Sequence, residues 1–469
     1  MAAEFDLVIR GGLVFDGSGS EGREADVAVS GDRIVRVGTV SGAGSEEIDA
    51  KGRIVTPGFV DIHTHYDGQA TWASELTPSS WHGVTTVVMG NCGVGFEPCR
   101  RQDREELIRL MEGVEDIPGP VLAEGLRWDW ETFPEYLDAV ERIPHDVDVA
   151  AQLPHAALRV YAMGARGGDG SPATRSEIAT MADIAREAVL AGALGFTTSR
   201  TLNHRTSDGR KTPTLTSARE ELVGIAAGVG RTNRGVLQVI SDLVDREDEF
   251  ETFKEMMRVS GRPMSISIVQ TDTDPAGWRA SLEEIERANT EGCEMRAQVC
   301  GRAVGILFGL ELTHNPFSAH AAWREIQDMP LKGKLARLRD EEFRARLLAG
   351  RPEGRGPFAK VYFVSFDKMF ILGDPPNYEP APEDSIAAQA RKLGIAPAEF
   401  ALRHLESDGG CGLIYYPLAN YSHGSLEATR EMMLHPDAVL GLSDGGAHVG
   451  TICDASFPTT MLSYWARDR

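Results

Sequence analysis

Eight short apolar runs, spaced along the chain and separated by longer stretches of helical or loop character, constrain the fold more than any other feature of the sequence. They are Phe59 to His63, Val84 to Met89, Val147 to Leu153, Ala193 to Thr198, Val236 to Ile240, Met264 to Val269, Met295 to Val299 and Ala438 to Ser443. Short strands that stay apolar throughout are buried on both faces, and that requires parallel pairing through helical crossovers. Eight of them predict an α/β fold of the closed (β/α)8, TIM-like type. The segments from Ser176 to Leu190 and from Thr216 to Ala227 support this, since each has a polar cap followed by apolar positions at helical spacing. More than a hundred residues separate the seventh and eighth runs. Within that gap Leu331 to Leu348 reads as one charged amphipathic helix, and Glu383-Asp384-Ser385 opens another before Gly394. An insertion at about 315–435 is expected to rise over the C-terminal face of the barrel and cover a substrate.

Residues 6 to 56 have a different texture, with β-branched runs bounded by Gly and Asp, which are strand and hairpin signals. The expected organisation is a small β-sandwich portion over 1–56 and a barrel over 57–469. Only 26 residues follow Ser443, so a closing helix barely fits and the C-terminal half of the sandwich is expected to be missing from this chain.

With 48 Lys+Arg against 70 Asp+Glu, the net charge of −22 and the lack of any basic block argue against a nucleic-acid partner. No stretch approaches the roughly 18 apolar residues of a membrane span, and the first residues lack the charged and apolar regions of a signal peptide. A soluble, cytoplasmic protein without a membrane partner is the expectation. The six cysteines, Cys92, Cys99, Cys293, Cys300, Cys411 and Cys453, form no CxxC pair and predict free thiols.

Three segments carry chemistry. In Phe59-Val60-Asp61-Ile62-His63-Thr64-His65, strand alternation puts both imidazoles on one face at a strand end, a natural arrangement for binding a metal. In Gly441-Leu442-Ser443-Asp444-Gly445-Gly446, an Asp leaves the last strand where a barrel places a catalytic carboxylate. Asp444 can bind a metal and take a proton from water, or it can cap a turn. In Gly90-Asn91-Cys92-Gly93, the thiol can be a zinc ligand or a small buried hydrophobe.

Taken with Thr56-Pro57-Gly58 and Gly192-Ala193-Leu194-Gly195-Phe196, these segments resemble the amidohydrolase superfamily, more narrowly its N-acyl-D-amino-acid deacylase (D-aminoacylase) branch. The resemblance implies a zinc-dependent hydrolase of non-peptide C–N bonds acting on a small-molecule amide. It implies His63, His65, Cys92 and Asp444 as metal ligands and Asp444 as general base. Two departures stand out. The family's histidines at the ends of strands five and six are absent from Leu237-Gln238-Val239-Ile240-Ser241 and from Ser265-Ile266-Ser267-Ile268-Val269-Gln270, so a single zinc ion is expected. The lysine that helps hold the substrate carboxylate is also absent, and Gln270 stands near its place.

Arg200, His204, Arg302, His155 and His448 are candidate substrate-binding residues, of which at least one is expected to serve. Two other readings compete. Gly441-Leu442-Ser443-Asp444-Gly445 fits the G-x-S-x-G pattern of serine hydrolases, but little chain follows to supply the remaining triad members. The missing histidines motivate a catalytically silent, ligand-binding homologue. A homo-oligomer is compatible with the sequence, which does not select it.

Overall fold

The computed structural model describes residues 3–353, 366–452 and 454–469, which form a mixed α/β protein divided into two compact units, Met1–Phe59 and Val60–Arg469. The first unit is one five-stranded sheet. β1 (Phe5–Val14), β2 (Arg23–Ser30), β3 (Arg33–Gly38) and β4 (Gly44–Asp49) lie in the order β3-β2-β1-β4, and β5 (Ile54–Val55) pairs with the far end of β1. The β1–β2 register shifts between Ile9 and Gly12, where Gly11 takes a φ of 63°. Asp26 ties that bulge to the next loop, its Oδ1 accepting from Gly11 N at 2.8 Å and its Oδ2 from Val40 N at 3.2 Å. Val8, Ala28 and Val40 form one small core, and Val14, Ala25 and Val27 another.

In the second unit each of the eight predicted runs contains strand. β6 (Phe59–Asp61), β7 (Val84–Met89) and β8 (Asp148–Ala151) form one sheet. β9 (Leu153–Pro154), β10 (Gly195–Arg200), β11 (Val236–Ser241), β12 (Met264–Ser267), β13 (Met295–Val299) and β17 (Ala438–Leu440) form a second, parallel throughout. The third predicted run is split at Gln152 into β8 and β9. The first and last runs are shorter than predicted, because the chain leaves strand geometry after Asp61 and again at Leu442, whose φ is 67°. Beyond these ends Thr64 and Gly445 form a parallel bridge.

Arg175–Ala191 starts in a capping box of Thr174 with Glu177, close to its predicted limits, whereas Arg219–Gly230 begins three residues later than expected. A third sheet follows, in which β16 (Ile414–Ala419) is flanked antiparallel by β14 (Val304–Phe308) and β15 (Phe370–Ile371). The single helix expected over Leu331–Leu348 is two, Leu331–Leu338 and Glu341–Ala349, because Asp340 caps the second by accepting from Phe343 N at 2.8 Å. Ile386–Leu393 agrees with expectation, capped by Ser385 and ended by Gly394 at φ 68°. Phe308, Phe317, Trp323, Leu347, Leu402 and Ile414 belong to a core drawn from residues between Ile306 and Tyr416. The chain's last residues do form helical turns, over Phe457–Thr460 and Met461–Asp468. Among the described residues no helix is long and apolar enough to cross a membrane. Cys453 and residues 354–365 lie outside the described residues.

Candidate metal centre

The turn that carries Cys92 is built by its neighbours. Gly90 (φ 80°) and Gly93 (φ 67°) pass so close to the adjoining backbone that a Cβ would lie 2.2 Å from Gln152 O and 2.9 Å from Thr198 Cα, respectively. Asn91 locks the turn by donating to Val88 O at 2.8 Å and Thr64 O at 3.2 Å, while accepting from Gln152 Nε2 at 3.0 Å. Cys92 itself is held at φ 55°. Sparsely populated backbone of this kind persists only where surrounding contacts impose it, as they do here.

Cys92 Sγ then lies 3.2 Å from His63 Nε2. The ligand atoms of His63, His65 and Cys92 all fall within 4.8 Å of one another, and all three side chains are buried. Asp444 completes the group: its Oδ1 is 3.5 Å from His63 Nε2 and 3.6 Å from His65 Nε2. Asp444 is brought there by main-chain bonds, its N–H donating to His63 O at 3.2 Å while His65 N donates to Gly445 O at 2.7 Å. His63 is oriented from behind by Gln298 on β13, whose Oε1 is 2.8 Å from Nδ1. Among the described residues His65 is only loosely held, its Nδ1 facing Glu115 Oε1 at 3.4 Å and its Nε2 facing Asp444 Oδ1 at 3.6 Å.

Burial shapes the electrostatics. It lowers the pKa of both His63 and His65, keeping the imidazoles neutral and able to donate a lone pair. Burial raises the Cys92 thiol well above its ordinary range, and the carboxylates of Glu115, Asp444 and Asp67 push it the same way. Burial also opposes ionisation of Asp444, but His65, His63 and His448 outweigh it and hold the carboxyl below its usual range. A cation would reverse the penalty on the thiol. Unpartnered buried nitrogens, a buried thiol and an ionised carboxylate converging on one point fit a thiophilic divalent metal such as zinc.

These groups floor a cavity of about 460 Å³. His204 and His448 line it, whereas three other candidates are committed elsewhere. Arg200 is bound to Glu249 at 2.7 Å and to Ser217 O at 3.0 Å. Fully buried Arg302 pairs with Asp454 at 2.7 Å and stacks 3.7 Å from the Tyr378 ring centre. His155 lies between Glu221 and Thr198, 2.8 Å from each. All three lie outside the cavity lining, their polar atoms having found partners in the scaffold. Gln270 is likewise structural, accepting from Ser422 N at 3.1 Å. Ser443 is 1% exposed and accepts from Gly445 N, so it does not present a nucleophile to the cavity.

Polar lining residues that the sequence did not single out include Asn203, Thr271, Asp272, Thr273 and the buried Glu115. Glu115 had a detectable signal. It follows Leu107 and Met111 at four-residue spacing on the buried face of α1 (Arg104–Glu115), an acid on an otherwise apolar face.

Residues 46–469 match the profile described as the amidohydrolase family. A D-aminoacylase from Alcaligenes xylosoxydans xylosoxydans is 39% identical over 195 residues, 41% of this chain and 37% of that protein. An N-acyl-D-aspartate deacylase of the same organism is 38% identical over 197 residues, 42% of this chain and again 37% of that protein. These alignments thus span little more than a third of the length of either relative. In fold, the chain is similar to an N-acyl-D-glutamate deacylase from Bordetella bronchiseptica solved with zinc and a phosphonate inhibitor. That similarity has a TM-score of 0.59 at 23% identity, covering 94% of this chain and 76% of that one.

Proposed function

The chain belongs to the amidohydrolase family, and from that premise we propose that it hydrolyses the C–N bond of a small-molecule amide, as an N-acyl-amino-acid deacylase or a close relative of one. The observation that carries this reading is the convergence of His63, His65, Cys92 and Asp444 at the floor of one cavity. We read the two parallel sheets joined beyond their ends by the Thr64–Gly445 bridge as a closed (β/α)8 barrel over 57–469, with 1–56 as the sandwich portion and 315–435 as the covering insertion.

His63, His65, Cys92 and Asp444 would hold one zinc ion, since the ends of β11 and β12 offer Gln238, Ser241 and Ser267 in place of further imidazoles. When bound, zinc supplies Lewis acidity toward the scissile carbonyl and makes water more acidic. Asp444, ionised through the working pH range, accepts a proton as water adds to the acyl carbon. It returns that proton to the nitrogen as the C–N bond breaks, so the products are one carboxylic acid and one amine. His204 and His448 face the same space and are the candidates to hold the amide in place. Ile240, Val269, Val304, Tyr416, Leu418 and Leu442 wall the cavity with apolar surface, which suits an apolar acyl group.

The test is elemental analysis of the purified protein followed by assay of N-acyl amino acids and neutral amides with and without a chelator. About one zinc per chain and chelator-sensitive amide hydrolysis are expected. Metal-free protein with no uptake of added zinc would overturn the reading.

A further inference from the structure

Glu115 is the last residue of α1 and is 1% exposed. A carboxylate there meets two penalties, loss of water and the negative end of the helix dipole, so it needs donors close by. Two imidazoles face it, at ion-pair rather than hydrogen-bond reach for Oε1, while burial, Asp444 and Asp67 raise the pKa of the carboxyl. Oε1 lies 3.4 Å from His65 Nδ1, and Oε2 lies 3.4 Å from His448 Nε2. The helix end is fastened in this position. The His448 N–H donates to Glu115 O, and the next residue, Asp116, accepts from Thr313 Oγ1 at 3.1 and 3.0 Å. Gly113 permits the approach, for a Cβ there would lie 2.3 Å from Arg205 O, in the loop that carries His204.

His63 shows what this geometry does. Its Nδ1 is held by Gln298, and its Nε2 is thereby aimed at Cys92 and Asp444. His65 repeats the pattern, with Nε2 toward Asp444 and Nδ1 toward Glu115. We propose that Glu115 is a positioning residue that fixes the ring orientation and tautomer of His65 through one oxygen and anchors His448 through the other. Each imidazole N–H donates to a carboxylate oxygen, and the Nε2 lone pair of His65 is left free for a metal. A carboxylate behind a ligating imidazole also makes that imidazole a better donor. The inference rests on the metal reading above.

Glu115→Gln preserves size but leaves one acceptor for two imidazoles, and Glu115→Leu leaves none. With zinc affinity measured by chelator competition, both should bind about 10- to 100-fold more weakly than the unmodified chain. Cobalt-substituted samples should show altered visible absorption, while the far-ultraviolet dichroism of the zinc-free proteins stays unchanged. Equal affinity and equal spectra in the unmodified chain and Glu115→Gln overturn the proposal and leave the metal reading standing; an unmodified chain that binds no zinc or cobalt overturns both. Should the variants fail to fold, the unmodified zinc-loaded chain still decides: nitrogen-15 correlation spectra should show His65 protonated at Nδ1, and protonation at Nε2 would overturn the proposal.

Discussion

At the scale of single residues, the side chains that gather at the candidate metal centre stand where the backbone is least ordinary. Cys92, Asp444 and His448 all have positive φ, at 55°, 53° and 53°. The surrounding hydrogen bonds impose these conformations and so deliver side chains that regular strands could not. Asp444→Asn removes the proposed proton acceptor while preserving shape. Turnover is expected to fall by about 10² to 10⁴ with the circular dichroism unchanged, measured as kcat on whichever amide the screen identifies. The convergence of His63, His65 and Asp444 was legible in the sequence because they sit at the ends of the first and last apolar runs, which the Thr64–Gly445 bridge brings together. Glu115 showed only as an acid on an apolar helix face; its contacts were not legible, because His65 and His448 lie far away along the chain and only the packing of α1 brings them within reach. Arg200 and Arg302 misled for the converse reason: a loop arginine looks free until the structure reveals its acid, here Glu249 and Asp454.

At the scale of elements, close approach and capping explain most departures from the expected pattern. Periodicity predicted one helix through Leu331–Leu348, but Asp340 offers the backbone a competing bond and starts a new helix. Gly113→Ala is expected to push α1 off the 205–207 backbone. The cost is about 1 to 3 kcal/mol, typical of overpacking, read as a lowered midpoint in denaturant. In the N-terminal sheet the backbone donors Gly11 and Val40 hold the Asp26 carboxyl below its ordinary range, although burial opposes them. A carboxyl whose pKa is depressed by folding stabilises the folded form above its unfolded pKa, and that contribution is lost as pH falls through the folded value. Asp26→Asn should therefore speed amide exchange at Gly11 and Val40 at neutral pH. The difference from the unmodified chain should narrow below about pH 4, as the native carboxyl also protonates.

At the scale of the whole molecule, the order of parallel strands was readable because each crossover leaves a short apolar run in the sequence. The antiparallel sheet was not, since β14 pairs with β16 across more than a hundred residues and neither run has a neighbour to announce it. If zinc binds the folded form alone, adding it at about 1,000 times its dissociation constant should stabilise the protein by about 4 kcal/mol. Calorimetry with and without chelator checks this, and an unmoved transition would show that folding and metal binding are not linked. The sheet of β14, β15 and β16 packs on a core of its own residues, and Val304, Tyr416, Leu418 and Ala419 carry it to the cavity. On the function proposed above, selection could therefore recut that wall as a replaceable cassette while His63, His65, Cys92 and Asp444 beneath it are inherited intact.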